Sequence, residues 1–366
     1  MKIYQPDYYD KFQCTASKCP MTCCMQWRIA VDDETFHKWD DEWKEKVKEV
    51  EEGRIIELKN DGMCPFLNEK KLCKIVLRDG EGAISETCHT FPREEHEYIG
   101  RVERALTPGC PAVLDLLWKQ ECFQIQKKEE QMEGIAEEIY EINPVLFEIR
   151  DWFLDIVNTR EIKLNTTLEI CFLIALDLYE LEQKGVLEDE FQSYKNTIDI
   201  WKIQDAIGEN GTITEERLEE YNLLFLDVYR EQNIYGDFLV PLAEEAEKIN
   251  GKETECFKTY QHKIKKWEKE LRNLFAEEIS SAIITPGTGQ VLDILVKLEW
   301  MAMEYAVLSQ ALFLQQRKGE LTDKKIQKSV CVVFRMMGYA DDDIWEYMDN
   351  CFDSVIWPWE YYSLLV

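Results

Sequence analysis

The sequence predicts a mainly α protein in two parts, an irregular cysteine-rich metal domain over residues 1–122 followed by an all-α helical bundle domain over residues 123–366. Three observations predict it. Nine of the 13 cysteines fall in the first third of the chain. The same stretch is broken by turn punctuation, namely Asn60-Asp61-Gly62, Asp79-Gly80-Glu81-Gly82 and Thr107-Pro108-Gly109. From about residue 123 the pattern changes to long helical stretches with recognisable ends. A chain of 366 residues also exceeds the size at which one hydrophobic core usually stops growing.

In the first part only residues 33–52 and the segment after Pro111 look helical; the rest reads as loops and short elements organised around a ligand. In the second part Asn143-Pro144 opens a helix over 145–157, with proline suited to the first helical position. Thr166-x-x-Glu169 is a capping box ahead of a helix over 168–181, and Gly185 is its stop. Val291, Ile294, Leu295, Leu298, Ala302, Tyr305 and Ala306 trace one face of a long helix beyond the Thr285–Gly289 loop. Another helix spans 323–337 and ends at Gly338. Typical helix lengths give roughly seven to ten helices for this part.

The formal net charge is -29, of which -6 belongs to residues 1–122 and -23 to the remainder. So negative a surface repels phosphate backbones and argues against nucleic-acid binding. It favours solubility and is compatible with a basic protein partner. The opening Met1-Lys2-Ile3-Tyr4-Gln5-Pro6-Asp7 lacks the apolar region of a secretory signal. The longest apolar run, 170–176, falls far short of the ~20 residues of a membrane span. A cytoplasmic protein without membrane attachment is expected.

In a reducing compartment clustered thiols point to metal ligation rather than disulfides. The candidate ligands are Cys14, Cys19, Cys23, Cys24, Cys64, Cys73, Cys88 and Cys110. Structural zinc usually takes CxxC pairs, which are absent, whereas iron-sulfur clusters accept thiolates from dispersed positions. An iron-sulfur cluster, 4Fe-4S in type, is therefore favoured, with zinc as the alternative. Neighbouring side chains on extended backbone point to opposite faces, so Cys23 and Cys24 do not both reach one small ion. Cys122, Cys171, Cys256, Cys331 and Cys351 read as small buried hydrophobes. No P-loop, GxGxxG or GxSxG is present, nor is the CxxxCxxC run of radical chemistry on S-adenosylmethionine.

With these residues in place the chain resembles the flagellin lysine-N-methylase (FliB) family, itself similar around its cysteines to small YkgJ-like cysteine-cluster domains. The matching stretches are Phe12-x-Cys14, Cys19-x3-Cys23-Cys24-x2-Trp27-Arg28-Ile29, Cys64-Pro65-Phe66-Leu67-Asn68, Leu72-Cys73-Lys74-Ile75, Ile84-Ser85-x-Thr87-Cys88-x2-Phe91-Pro92-Arg93, and Glu103 with Cys110-Pro111. Ala112 departs from the glutamate that tends to follow the last Cys-Pro. The resemblance implies methyl transfer from S-adenosylmethionine to lysine side chains of flagellin or another lysine-bearing protein, by an enzyme holding an iron-sulfur centre. Within the matching stretches His89, Arg93 and Glu103 are the candidate acids and bases. Trp27 and Phe91 are candidates to face the cationic donor, and Arg93 to clamp its carboxylate. Two other classes stay open: a non-catalytic iron-sulfur or zinc binding or sensor module, and a redox protein cycling Cys23 and Cys24.

Overall fold

The computed structural model describes residues 1–366 apart from 27–28, 51–52, 130–138, 209–214, 232–234, 250–252 and 339–340. In chain order the first part comprises β1 (Lys2–Pro6), α1 (Asp33–Lys38), α2 (Asp41–Lys44), β2 (Val47–Val50), β3 (Gly53–Ile56), α3 (Lys74–Asp79), α4 (Glu86–Thr90), β4 (Arg93–Tyr98), β5 (Arg101–Leu106) and α5 (Pro111–Leu117); the second part, expected to be all-α, opens instead with a strand, β6 (Ile125–Glu129), that pairs with β1. The helices that follow are α6 (Pro144–Val157), α7 (Leu164–Gln183), α8 (Leu187–Thr197), α9 (Ile200–Ile207), α10 (Glu215–Glu231), α11 (Gly236–Ala246), α12 (Thr254–Ile264), α13 (Glu268–Ser281), α14 (Val291–Arg317), α15 (Asp323–Met337), α16 (Asp341–Cys351) and α17 (Trp359–Leu365). The protein is mainly helical, and among the described residues the second part holds twelve helices, more than the seven to ten expected.

The helix expected over 33–52 is instead two short helices and a hairpin strand. Asp32 caps α1 by accepting from Thr35 N at 2.7 Å, and Asp40 caps α2 by accepting from Trp43 N at 3.3 Å, so two separate starts divide the segment. The β-branched Val47 and Val50 then pair in β2 with Ile56 and Gly53 of β3. A four-stranded sheet of order β4-β5-β1-β6 was likewise not foreseen. Its β4–β5 hairpin turns through Ile99-Gly100, with Gly100 at φ +81°, where glycine carries no Cβ penalty. β1 pairs parallel with β5 and antiparallel with β6.

Among the helices, Asn143 caps α6 by accepting from Val145 N at 3.1 Å, and Pro144 opens it as expected. The Thr166 capping box does not form. α7 starts earlier, at Leu164, leaving Thr166 inside the helix. α14 is buried on nearly every side and packs on α7, α10, α11, α15 and α17, so its apolar residues form no single stripe. One continuous apolar core runs from Tyr8 and Phe123 to Val366. A smaller one gathers Ile29, Val31, Trp39, Trp43, Ile56, Phe66 and Ile75. Among the described residues no helix is long and apolar enough to cross a membrane.

Candidate functional site

Backbone contacts draw four of the candidate thiols against the smaller core. Cys64 N donates to Cys24 O at 2.9 Å, and Met25 bridges Met63. Leu67 bridges Cys73, and Lys74 N donates to Phe66 O at 2.7 Å. Ser85 caps α4 through the N–H of Cys88. Cys64 is buried in that core, and Cys24, Cys73 and Cys88 pack against it. The four feel one another electrostatically. Burial first, then the neighbouring sulfurs, push the Cys64 thiol up to about 12 and Cys88 to about 11, and raise Cys73. Counteracting this, Cys64 accepts the N–H of Phe66, and Cys73 those of Ile75 and Val76 at the start of α3, bonds that favour thiolate.

The other thiols gather elsewhere. Cys110, at the start of α5, lies beside Cys19, and Cys23 beside Cys14, with the Arg335 guanidinium facing both Cys23 and Cys110. The vicinal side chains lie within hydrogen-bond reach of each other rather than on opposite faces, so they link the two sets. Cys23 also donates to Cys24, which lowers the Cys24 thiol to about 6. Cys331 is fully buried as expected but borders Cys110 and Cys19; Cys256 and Cys351, expected to be buried, are exposed and Cys122 is half-buried. Both are polar-faced positions on surface helices, where a cysteine gains nothing from burial. All 13 cysteines are free thiols. Among the described residues no three His, Cys, Asp or Glu side chains close on a single ion, so the thiol sets are neighbours rather than a preformed cage.

Arg335 of α15 joins this region to the helices. Its guanidinium donates to Gly109 O at 2.7 Å, Met21 O at 3.0 Å, Thr22 O at 3.2 Å and Tyr235 Oη at 3.2 Å. It thereby holds both the loop carrying Cys19, Cys23 and Cys24 and the turn before Cys110. A Cβ on Gly109 would stand 3.1 Å from Arg335 Cγ, so glycine allows this close approach.

Beside Arg335 opens a cavity of about 290 Å³. One wall is Phe91, Glu94, His96 and Thr107–Gly109; the other is formed by α13 to α16. The charged groups facing it are Glu94 and His96 from β4, Glu278 from α13, Lys297 and Glu304 from α14, Arg335 from α15 and Asp341 from α16. Lys297 is bonded to Asp341, which also accepts from Thr285. Burial, then repulsion from Glu94, pushes the Glu278 carboxyl up to about 8, and burial followed by Glu278 raises Glu304 well above the carboxylate range. Glu94 has an accessible side chain toward the cavity, yet surrounding protein raises its carboxyl too. Adjacent Glu277 is fully buried and likewise raised.

Of the candidate acids, bases and donor-binding residues, only Phe91 lines this cavity among the described residues. His89 is exposed on α4. Arg93 is exposed, 4.8 Å over the Phe12 ring. Both Glu103 oxygens are engaged, one by Arg101 and the other by the buried Arg150. Trp27 lies outside the described residues. Sequence reasoning missed the glutamates. The available signal was Lys297, Glu299 and Glu304 interrupting an otherwise apolar helix.

Residues 150–365 match the FliB lysine N-methylase C-terminal domain. The chain belongs to the FliB lysine N-methylase family. Over 124 residues it is 31% identical to a lysine-N-methylase of Salmonella typhimurium, covering 30% of this chain and 31% of that protein. The same identity and length relate it to the flagellar biosynthetic protein FliU of Salmonella muenchen, of which it covers 73%. The alignment thus spans under a third of the length of the lysine-N-methylase, while most of the FliU protein is covered. No solved structure matches the chain. The FliB-matching stretch includes Glu278, Lys297, Glu304, Arg335 and Asp341, whereas the eight candidate thiols precede it.

Proposed function

We propose that this chain transfers the methyl group of S-adenosylmethionine to the ε-amine of lysine side chains, on flagellin or another lysine-bearing protein. The observation that carries the reading is the acidic cavity at the seam, walled on one side by the thiol-bearing region and on the other by helices matching the FliB domain. The name of the Salmonella typhimurium relative supports the same chemistry. A lysine ammonium with its ordinary pKa of ~10.4 must lose a proton before its nitrogen is nucleophilic. Partial desolvation in the cavity lowers the cost of that loss, an ionised carboxylate can take the proton, and the walls can hold acceptor and donor at attack distance. The acidic helical part attracts a lysine-bearing protein, so KM for the protein substrate rises with ionic strength.

Cys24, Cys64, Cys73 and Cys88 fit a thiolate-held group by donor chemistry, since two of the four already accept N–H bonds that favour thiolate. We assign them an iron-sulfur cluster, with Cys14, Cys19, Cys23 and Cys110 as a second set beside Arg335 that meets the first through the Cys23–Cys24 contact. When bound, a cluster cross-links the loops that carry its ligands and can exchange electrons. The chain purified without oxygen should contain iron and acid-labile sulfide. Cys64→Ser should lose most of both together with methyl transfer, whereas Cys122→Ser should keep them. Zinc without sulfide would refute the iron-sulfur assignment, and a loaded cluster with no methyl transfer would favour a binding module.

A further inference from the structure

We infer that Glu278 receives the ammonium of the acceptor lysine in the cavity and takes its proton. The inference rests on the methyl-transfer reading and names the residue that serves it. Glu278 is 8% exposed, lines the cavity, and among the described residues accepts no hydrogen bond. Its carboxyl faces the open cavity, where a ligand can bond it, and Lys297 acts on it through its field. Its neighbours fix the ligand's charge. Glu94 and Glu304 add carboxyls, whereas Lys297 is bonded to Asp341 and Arg335 to three carbonyls and a phenol hydroxyl. A ligand cation is the partner that ionises these carboxyls, which burial and mutual repulsion otherwise hold neutral. Phe91, Trp300 and Met301 supply apolar wall for a methylene stem.

An arriving ammonium favours the charged carboxylate and so fits a site that desolvation otherwise holds neutral. A carboxyl whose basicity is raised toward that of lysine is also the better proton acceptor. As the ammonium binds, Glu278 gives its own proton to solvent; in the step, the Nζ–H bond breaks and that proton passes to the ionised Glu278 oxygen. The lone pair left on Nζ forms the bond to the sulfonium methyl. The methyl–sulfur bond breaks with its electrons going to sulfur, leaving S-adenosylhomocysteine and a methylated ammonium. Glu278 then returns its proton to solvent.

The test uses the full chain with its metal complement and two peptides, one with a single lysine and one with norleucine in its place. Wild type should bind the lysine peptide at least tenfold more tightly, and Glu278→Gln should erase that preference and lower kcat by a hundredfold or more. Glu304→Gln should weaken the preference by a smaller factor, and Glu360→Gln, on the outer surface, should leave it unchanged. A melting temperature of Glu278→Gln at or above that of wild type at pH 6 would exclude misfolding, and Glu278→Asp should restore part of the lysine preference. A wild type without lysine preference, or a Glu278→Gln chain within twofold of wild type in preference and kcat, would overturn the inference. So would Glu278→Gln weakening S-adenosylmethionine while sparing the peptide. Lysine preference lost in Glu278→Gln, with no methyl transfer by wild type, would support the cavity assignment while refuting the methylase reading.

Discussion

Replacing Arg335 with alanine is expected to be the most damaging single change at the seam. The guanidinium serves four acceptors from three separate segments: Met21 and Thr22, Gly109, and Tyr235. Each buried acceptor left unsatisfied costs about 1–3 kcal/mol, so even the low end puts the loss on the order of 4 kcal/mol. A chain of this size would melt roughly 5 °C or more below wild type. Limited proteolysis should then cut first in the loops around Cys19–Cys24 and Gly109. Lysine at this position offers three donors from one point and cannot span the same four acceptors, so Arg335→Lys should recover only part of the loss. An alanine variant within about 2 °C of wild type would show that the thiol loops are held by other contacts.

The second large effect is on stability as a function of pH. In the folded chain burial raises Glu278 and Glu299 to about 8, and Glu304 further, from an ordinary value of 4.5. Between those limits the folded state holds more protons than the unfolded state, so stability falls as pH rises through the window. Glutamine carries no such proton. The Glu278→Gln, Glu304→Gln double variant should therefore melt several degrees above wild type at pH 8 and nearly coincide with it at pH 4. Equal melting temperatures at pH 8 as well would mean these carboxyls are not held neutral by the fold. A gain in stability together with loss of methyl transfer would mark the cavity as a place where stability is given up for activity.

The sequence made local signals legible. Asn143-Pro144 opens α6, Gly185 at φ +70° follows α7, and Gly338 follows α15, each through backbone chemistry confined to a few residues. The mainly helical character followed from the same signals. The sheet was not legible, because β1 pairs with β5 about a hundred residues away and neither strand is long enough to show alternation. The hairpin at Val47–Ile56 was hidden by acidic and lysine residues that suit either a helix or an exposed strand. The site divides in the same way. The thiols announce themselves by spacing, and their backbone neighbours bring Cys24, Cys64, Cys73 and Cys88 together. Buried glutamates look like solvent-facing charge until tertiary packing surrounds them. Glu103, plausible as an acid by its neighbourhood in sequence, is committed to Arg101 and to Arg150, which tie β5 to α6.

The central claim is that a lysine is methylated at the seam between the thiol-bearing region and the FliB helices. Its most direct test is mass spectrometry of flagellin incubated with the metal-loaded chain and S-adenosylmethionine labelled in its methyl group. The account predicts label on lysine ε-amines with the wild-type chain, nearly none with Glu278→Gln, and none with Cys64→Ser. A wild-type chain holding its full iron and sulfide that leaves every lysine of flagellin, and of other lysine-bearing proteins offered in its place, unlabelled would contradict it.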